Sequence, residues 1–340
     1  MIETLGPLAQ AALFVAAALV VWFAGARLAG YADRIAEKTG LGRQMLGLLL
    51  LGGVTSSPEM AVGVTAALSD TPALSINDVL GSAAINLVIL AIADAKYGRD
   101  ALTSTPSTPD VLLQGTLGII LLAIVVAAIT VGDRPVAGLG AWSWVLVAVF
   151  IGTIWIISNS QGRSSWVPDG PRAEAPDKGG GDEGSLRSLV VRTTIAAAAI
   201  LVAGFVLARS GGALAESTGL GASFFGAVLL GLSTSLPEVS TVLAAVKLRR
   251  YDMAMADIFG SNLFNVIVIV VVDALYAGGP VLAEAGTFAA FGALLAIVLT
   301  AIYLVGLIER RDRTFLRMGF DSLAVLVVYA VGVTILYQLR

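Results

Sequence analysis

The sequence has no cysteine, no histidine and very little charge. Without cysteine there is no disulfide framework, no thiolate metal site and no thiol catalysis. Without histidine the usual general base and the usual transition-metal ligand are gone. Only 13% of the 340 residues are charged, about half of the roughly 25% typical of soluble domains. A soluble globular protein is therefore excluded. The net charge is -3, and the basic residues are not pooled in one face, so no nucleic-acid partner is implied. What remains is 57% hydrophobic with 38 glycines, a composition suited to packed membrane helices. The chemistry left to such a chain belongs to carboxylates, hydroxyls, amides and backbone carbonyls, which are the ligands of hard cations.

Apolar runs of about 20 residues are needed to span a bilayer. Ten candidates occur, near 7–29, 43–68, 73–95, 109–131, 137–158, 188–208, 221–246, 252–276, 282–308 and 319–339. The first follows an acidic start at Glu3 with no basic region before it, which argues against a signal peptide. Between the fifth and sixth runs, Gln161 to Arg187 holds Pro168, Pro171, Pro176 and a Gly-rich string from Gly179 to Gly184. This reads as a flexible linker, too short and too rich in Gly and Pro to fold alone. The expected organisation is a first five-helix unit over 1–160, a linker over 161–187 and a second five-helix unit over 188–340. Ten spans place 18 of the 21 basic residues on one side, leaving only Arg134, Arg209 and Arg340 on the other. The positive-inside rule then predicts a multi-pass plasma-membrane protein with both termini outside and the linker in the cytoplasm.

A shift of 179 residues, carrying Glu59 onto Glu238, lays the second half on the first without a gap. Glu37 to Gly42 meets Glu216 to Gly221, and Thr55, Ser56, Pro58 and Glu59 meet Thr234, Ser235, Pro237 and Glu238. Asp78, Gly81, Ser82, Asn86 and Asp94 meet Asp257, Gly260, Ser261, Asn265 and Asp273. Chance similarity of apolar segments would match leucines and alanines, not polar residues in register. Five spans is an odd number, so the two copies are predicted to lie upside down relative to each other. The fold class is thus an all-α polytopic membrane protein of ten transmembrane helices in two inverted five-helix repeats, an arrangement typical of secondary transporters.

Glu59 and Glu238 fall inside apolar spans, where a charge costs several kcal/mol unless it faces a partner or a wet cavity. On a continuous helix Thr55, Ser56 and Glu59 share one face, as do Ser82 with Asn86 and Ser261 with Asn265. Pro58 and Pro237 lack an amide proton and collide with the carbonyl four residues back, so Val54 and Ser233 are expected to have loosened carbonyls. Two carboxylates with many neutral oxygens suit Ca²⁺, which takes roughly 6–8 oxygens, and also Na⁺; Zn²⁺ and Cu²⁺ favour nitrogen and sulfur. A lone Ser or Thr on a membrane helix usually bonds its own backbone, and Gly81 and Gly260 read first as close-packing sites. The duplicated T-S-x-P-E and G-S-x-x-x-N strings outweigh those blander readings for the glutamates. Asp78 and Asp257, near the starts of their spans, are open between a helix-dipole role and lining an ion entrance. Asp94 and Asp273 read as interfacial structural residues, and Glu37 and Glu216 as junction residues beside basic neighbours.

At these strings the chain resembles the cation/Ca²⁺ exchanger superfamily, in its microbial sodium/calcium exchanger branch, over both signature segments (42–95 and 221–274) and in the ten-span layout. The family pattern G-T-S-L-P-E followed by G-S-N-[IL]-x-[ND] reads here as Val54 to Glu59 with Gly81 to Asn86, and as Ser233 to Glu238 with Gly260 to Asn265. The resemblance implies that Glu59 and Glu238 coordinate Ca²⁺ and share Na⁺ sites, and that Thr55 and Thr234 add hydroxyl or carbonyl oxygens. It also implies that Ser56, Ser82, Ser235 and Ser261 complete flanking sodium sites, with Asn86 and Asn265 between the glutamates. The first and sixth spans would slide against the rest to alternate access. The cargo would be Ca²⁺ and Na⁺, with no cofactor and no protein partner implied, and the chain would be no enzyme. Three departures stand out: Asn at both central positions where many relatives have one Asp, Val54 and Ser233 in place of glycine, and Ala83 in place of Asn. The leading expectation is Ca²⁺/Na⁺ antiport. Ca²⁺/H⁺ exchange by the same glutamates is the alternative, and a passive cation channel is the reading outside antiport. An intramembrane hydrolase is disfavoured by the missing histidine and the symmetric duplication.

Overall fold

The computed structural model describes residues 6–97, 101–104, 109–160, 185–216, 224–309, 314–315 and 318–339. Most of the predicted linker, 161–184, lies outside these residues, as do the junction residues 217–221. Helices dominate: α1 (Pro7–Thr39), α2 (Arg43–Thr55), α3 (Ser57–Leu68), α4 (Pro72–Tyr97), α5 (Pro109–Val131), α6 (Ala141–Ser160), α7 (Leu186–Glu216), α8 (Ala227–Thr234), α9 (Leu236–Lys247), α10 (Tyr251–Leu275), α11 (Thr287–Glu309) and α12 (Phe320–Leu339). Among the described residues eight helices are each long and apolar enough to cross a membrane. The second and seventh expected spans are instead bent pairs, α2–α3 at 41° and α8–α9 at 52°. The first helix is longer than its apolar stretch, running to Thr39, where Gly40 (φ 74°) closes it in the left-handed conformation and donates its N–H to the Ala36 carbonyl.

Burial separates the helices into two kinds. The most apolar stretch of α4 is 89% buried and that of α10 is 72%, against 28% in α1 and 22% in both α6 and α12. The two inner helices bury Asp78, Ser82, Asn86 and Asp94, and Asp257, Ser261, Asn265 and Asp273, so polar side chains gather in the interior, as a bilayer solvent requires. α1 packs along α7 and against α9, with Ala17 and Val21 meeting Ala203 and Leu207, while Val15, Leu19 and Phe23 point outward. Small residues set that approach: a Cβ on Gly25 would sit 2.6 Å from the Ser240 hydroxyl, which donates to the Trp22 carbonyl.

Several local features recur at the 179-residue spacing or within one residue of it. A π-helical turn occupies Gly47–Gly52 and another Phe225–Leu230. A two-stranded antiparallel hairpin pairs Pro135 with Gly140 and Val136 with Leu139, and a second pairs Thr314 with Gly319 and Phe315 with Met318. The first hairpin turns on Ala137 and Gly138, both at positive φ, the geometry of a tight turn that follows strand twist.

Each hairpin is fastened by a buried aspartate. Asp94 accepts the N–H of Leu102 and of Gly319, both at 2.8 Å. Asp273 accepts the N–H of Val281 at 2.9 Å, that of Gly140 at 2.7 Å and the Ser143 hydroxyl at 2.6 Å. The structural reading of these two residues stands, and each one ties the hairpin of the other half to an inner helix.

Candidate cation site

Proline dictates the breaks. Pro58 and Pro237 sit in the first turn of α3 and α9, where a missing N–H costs nothing. Ser56 (φ -75°, ψ 5°) and Ser235 (φ -81°, ψ 6°) are the non-helical residues between the half-helices. This corrects the expectation that Thr55, Ser56 and Glu59 share a face of one helix. Thr55 ends one half-helix, Ser56 is the joint, and Glu59 lies in the first turn of the next; Thr234, Ser235 and Glu238 repeat the pattern. The positive end of a helix dipole favours a carboxylate in that first turn, and the last carbonyls of a helix lack the intrahelical partners of its interior; here those of Gly52 and Gly231 accept the N–H of Ser56 and Ser235.

The inner helices cross these breaks at very short range. A Cβ on Gly81 would collide with the Ala227 carbonyl oxygen, and one on Gly260 would lie 2.8 Å from the Cα of Leu48. A Cβ on Gly52 would be 2.8 Å from the Ser261 nitrogen, and one on Gly231 would be 3.1 Å from the Ser82 nitrogen. Gly81 and Gly260 are thus close-packing sites. The contact brings hydroxyls of opposite halves together: Thr55 and Ser261 at 3.0 Å, Ser82 and Thr234 at 3.1 Å. Ser56 reaches the Ser261 carbonyl at 3.5 Å.

Glu59 and Glu238 are both 0% exposed, and none of their four oxygens has a hydrogen-bond partner. Ser82 and Thr234 flank Glu59, Thr55 flanks Glu238, and the two glutamates lie within electrostatic reach of each other. A buried carboxylate without a partner requires a counter-charge or a proton. Of the central amides, Asn86 donates to Asn262 at 2.9 Å, Asn262 donates in turn to the Ala83 carbonyl at 3.1 Å, and Asn265 has neither polar atom bonded. All ten residues singled out in the sequence are buried, and the Ser235 hydroxyl too is unpartnered.

Three residues at this centre were not singled out as ligands. Asn262 clamps Asn86; its signal was the G-S-N string, matched by Ala83 in the first half. Asp78 and Asp257 are fully buried. Asp78 accepts the Thr234 hydroxyl at 3.3 Å, and Asp257 accepts the hydroxyl of Thr241. Their recurrence in register was the available signal. Among the described residues no three acidic side chains converge on one point. Outside the centre, Glu37 meets its expected basic neighbours, Arg43 at 3.1 Å and Arg250 at 3.3 Å. Asp33 takes the same two arginines at 2.5 and 2.7 Å.

Broken helices around buried, oxygen-only side chains define the chain as a polytopic membrane transporter for hard cations. The sequence pattern of the family described as sodium/calcium exchanger protein matches residues 9–167 and 188–338. The chain belongs to that family, whose ions are transported cargo and not a bound cofactor. Among its relatives, Inner membrane protein YrbG of Escherichia coli (strain K12) is 26% identical over 282 residues, covering 81% of this chain and 82% of that protein. A solved structure of the sodium-calcium exchanger NCX_Mj, soaked with 2.5 mM Na⁺ and 10 mM Sr²⁺, shares the fold with a TM-score of 0.69 at 16% identity. That match covers 97% of this chain and 99% of the other.

Proposed function

We propose that this protein is an antiporter exchanging Ca²⁺ for Na⁺ across the plasma membrane by alternating access. In this reading each bent pair is one span, which makes ten, and the halves 1–160 and 188–340 are inverted repeats joined by the linker 161–187 in the cytoplasm, with both termini outside. Glu59 and Glu238 are the indispensable Ca²⁺ ligands. Thr55, Thr234, Ser56, Ser235, Ser82 and Ser261 supply hydroxyl or carbonyl oxygens around them, and Asn86 and Asn265 lie between. The carrying observation is the unpaired state of both buried glutamates in the first turns of half-helices, each facing hydroxyls.

The mechanism follows from charge. Ca²⁺, or a set of Na⁺ ions, neutralises the glutamates and permits the site to cross the dry barrier, whereas the uncompensated carboxylates resist it. The half-helix N-termini favour the carboxylates and the freed carbonyls favour the cation, so each break serves both charges. α1 and α7 pack along each other and touch the broken pairs through α9 and α3, with outward apolar faces. That placement suits them to slide as one unit past the inner helices and open the site to alternate sides.

Sealed vesicles bearing the full chain test this. Ca²⁺ uptake that tracks an imposed Na⁺ gradient is the expected result. Uptake that follows only a pH gradient and ignores Na⁺ would replace Na⁺ by H⁺ as the counter-ion, and Ca²⁺ flux without any counter-transport would make the protein a channel.

A further inference from the structure

We infer that the groove between α1 and α7 binds one anionic phospholipid, its phosphate held by Arg27, Tyr31 and Arg192 and an acyl chain laid along the apolar remainder. The groove encloses about 660 Å³, within the roughly 300–1,000 Å³ of small-molecule sites. It sets residues 19–31 of α1 against residues 192–199 of α7. The two helices run antiparallel, because Ala17 and Val21 sit with Ala203 and Leu207 farther along. Arg27, Tyr31 and Arg192 therefore collect at one end, and Leu19 and Val20 lie with Ala199 at the other. The polar end points to the face where Arg43 and Arg250 meet Glu37 of α1. Leu19 and Tyr31 are twelve residues apart, about 18 Å of helix, close to half of a hydrocarbon core about 30 Å thick. The groove thus has the length of one leaflet, with its charge at the headgroup end.

Surroundings and charge choose the occupant. Leu19, Phe23 and Ile195 are 54%, 57% and 64% exposed, and such apolar exposure on a membrane protein faces lipid tails. The molecule that fills the groove therefore comes from the bilayer. The buried Ala24 and Ala196 form the floor, and their small side chains leave room for a chain between the helices. Two guanidinium groups line the groove and, among the described residues, no carboxylate does. A phosphodiester matches guanidinium hydrogen-bond geometry, and basic pockets between membrane helices recognise anionic headgroups. A zwitterionic lipid brings its own ammonium to the same place and is the weaker partner.

Arginines that only mark the topology, or snorkel from a helix end, serve equally well in the connecting loops. Arg27 instead stands twelve residues before the end of α1 at Thr39, and Arg192 six residues after the start of α7 at Leu186. They come from different halves of the chain and line one cavity. The site has no copy: at the 179-residue shift Arg27, Tyr31 and Arg192 fall on Val206, Ser210 and Leu13. One lipid per chain, in one leaflet, follows. That lipid touches α1 and α7 together, the two helices that slide as a unit in the exchange reading, and joins them to the headgroup layer on one side only.

The test uses purified full-length protein and native mass spectrometry, titrating in phosphatidylglycerol or phosphatidylcholine of identical acyl chains. Wild type is expected to bind one phosphatidylglycerol about five-fold or more tighter than phosphatidylcholine. Arg27→Gln and Arg192→Gln should each weaken that binding about five-fold, and Arg27→Lys should recover part of it. Ala199→Phe keeps both charges but fills the apolar end, and should weaken binding too. Arg209→Gln, toward the opposite end of α7, should leave it unchanged. Equal affinity for the two lipids, unchanged binding in both Arg→Gln variants of the groove, or an equal loss in Arg209→Gln overturns the inference. Competition by glycerol phosphate at the same concentration as intact lipid overturns it as well, since the chains would then contribute nothing. The measurement needs no transport, so its failure leaves the exchange reading standing, and a failed exchange assay leaves lipid binding standing.

Discussion

The centre contributed by the first half and that contributed by the second share a frame and differ in their inner hydrogen bonds. Shifted by 179 residues, the Thr55–Ser261 contact becomes Thr234–Ser82, with the halves exchanged. The Gly81–Ala227 approach becomes Gly260–Leu48. The aspartates that fasten the hairpins correspond likewise. Three details break the correspondence. Asn262, whose counterpart is Ala83, engages Asn86 and leaves Asn265 unbonded. Thr241, whose counterpart is Val62, bonds Asp257. Asp33 and Glu37 on α1 grip Arg43 and Arg250, while Gly212 and Ala222 stand where Asp33 and Arg43 would repeat. Backbone packing is therefore duplicated, and individual side chains make the two sides inequivalent.

The largest expected effect tests what the halves share. Glu59→Gln and Glu238→Gln should each lower vesicle Ca²⁺ uptake about a hundred-fold or more while leaving membrane insertion normal, since each removes one buried charge from a cation site. Retained uptake in either variant would show that the two glutamates are not equivalent ligands.

Next come the contacts that build the frame. Gly81→Ala forces a methyl into the Ala227 carbonyl and should destabilise the protein by about 1–3 kcal/mol or more, read as a fall in thermal midpoint. Gly260→Ala has more room and should cost less; an equal fall would mean that the closer approach on the first half is not a real difference. For the hairpin anchors, equality is the expectation. Asp94→Asn and Asp273→Asn should each lose about 1.5–3 kcal/mol per hydrogen bond weakened, and a loss confined to one of them would break the correspondence.

The smaller effects address what differs. Asn262→Ala recreates the first-half residue, removes two hydrogen bonds worth about 1 kcal/mol each and frees Asn86. Ca²⁺ affinity should shift by a few-fold, and no shift would separate the amide pair from the ion. Glu37→Gln weakens exposed ion pairs to Arg43 and Arg250 worth about 1 kcal/mol or less, so uptake should change least, with the change shrinking further at high salt.

Much of this was legible in the residues. Long apolar runs placed the eight helices that are long and apolar enough to cross a membrane, because a bilayer demands about 20 apolar residues whatever their neighbours. The duplicated Pro marked both breaks, because a missing N–H acts locally. Legibility failed where contact partners lie far apart in the chain. The helix period puts Thr55 and Glu59 on one face, yet the bend at Ser56 places them on separate half-helices. Asp78 looked like a residue near a helix start, and only its neighbours Thr234 and Glu59 reveal a buried position.

By itself the sequence determined that the protein lives in a membrane, that polar strings recur at a 179-residue shift, and that neither histidine nor cysteine is available to an ion. These follow from composition, periodicity and the absence of histidine and cysteine. Tertiary structure decided which hydroxyls meet across the halves, which aspartates are fully bonded and which are left with a free oxygen. The contacts that decide it join residues 152 and 206 positions apart. Local pattern sets the direction of a side chain, and only helix packing sets what it faces.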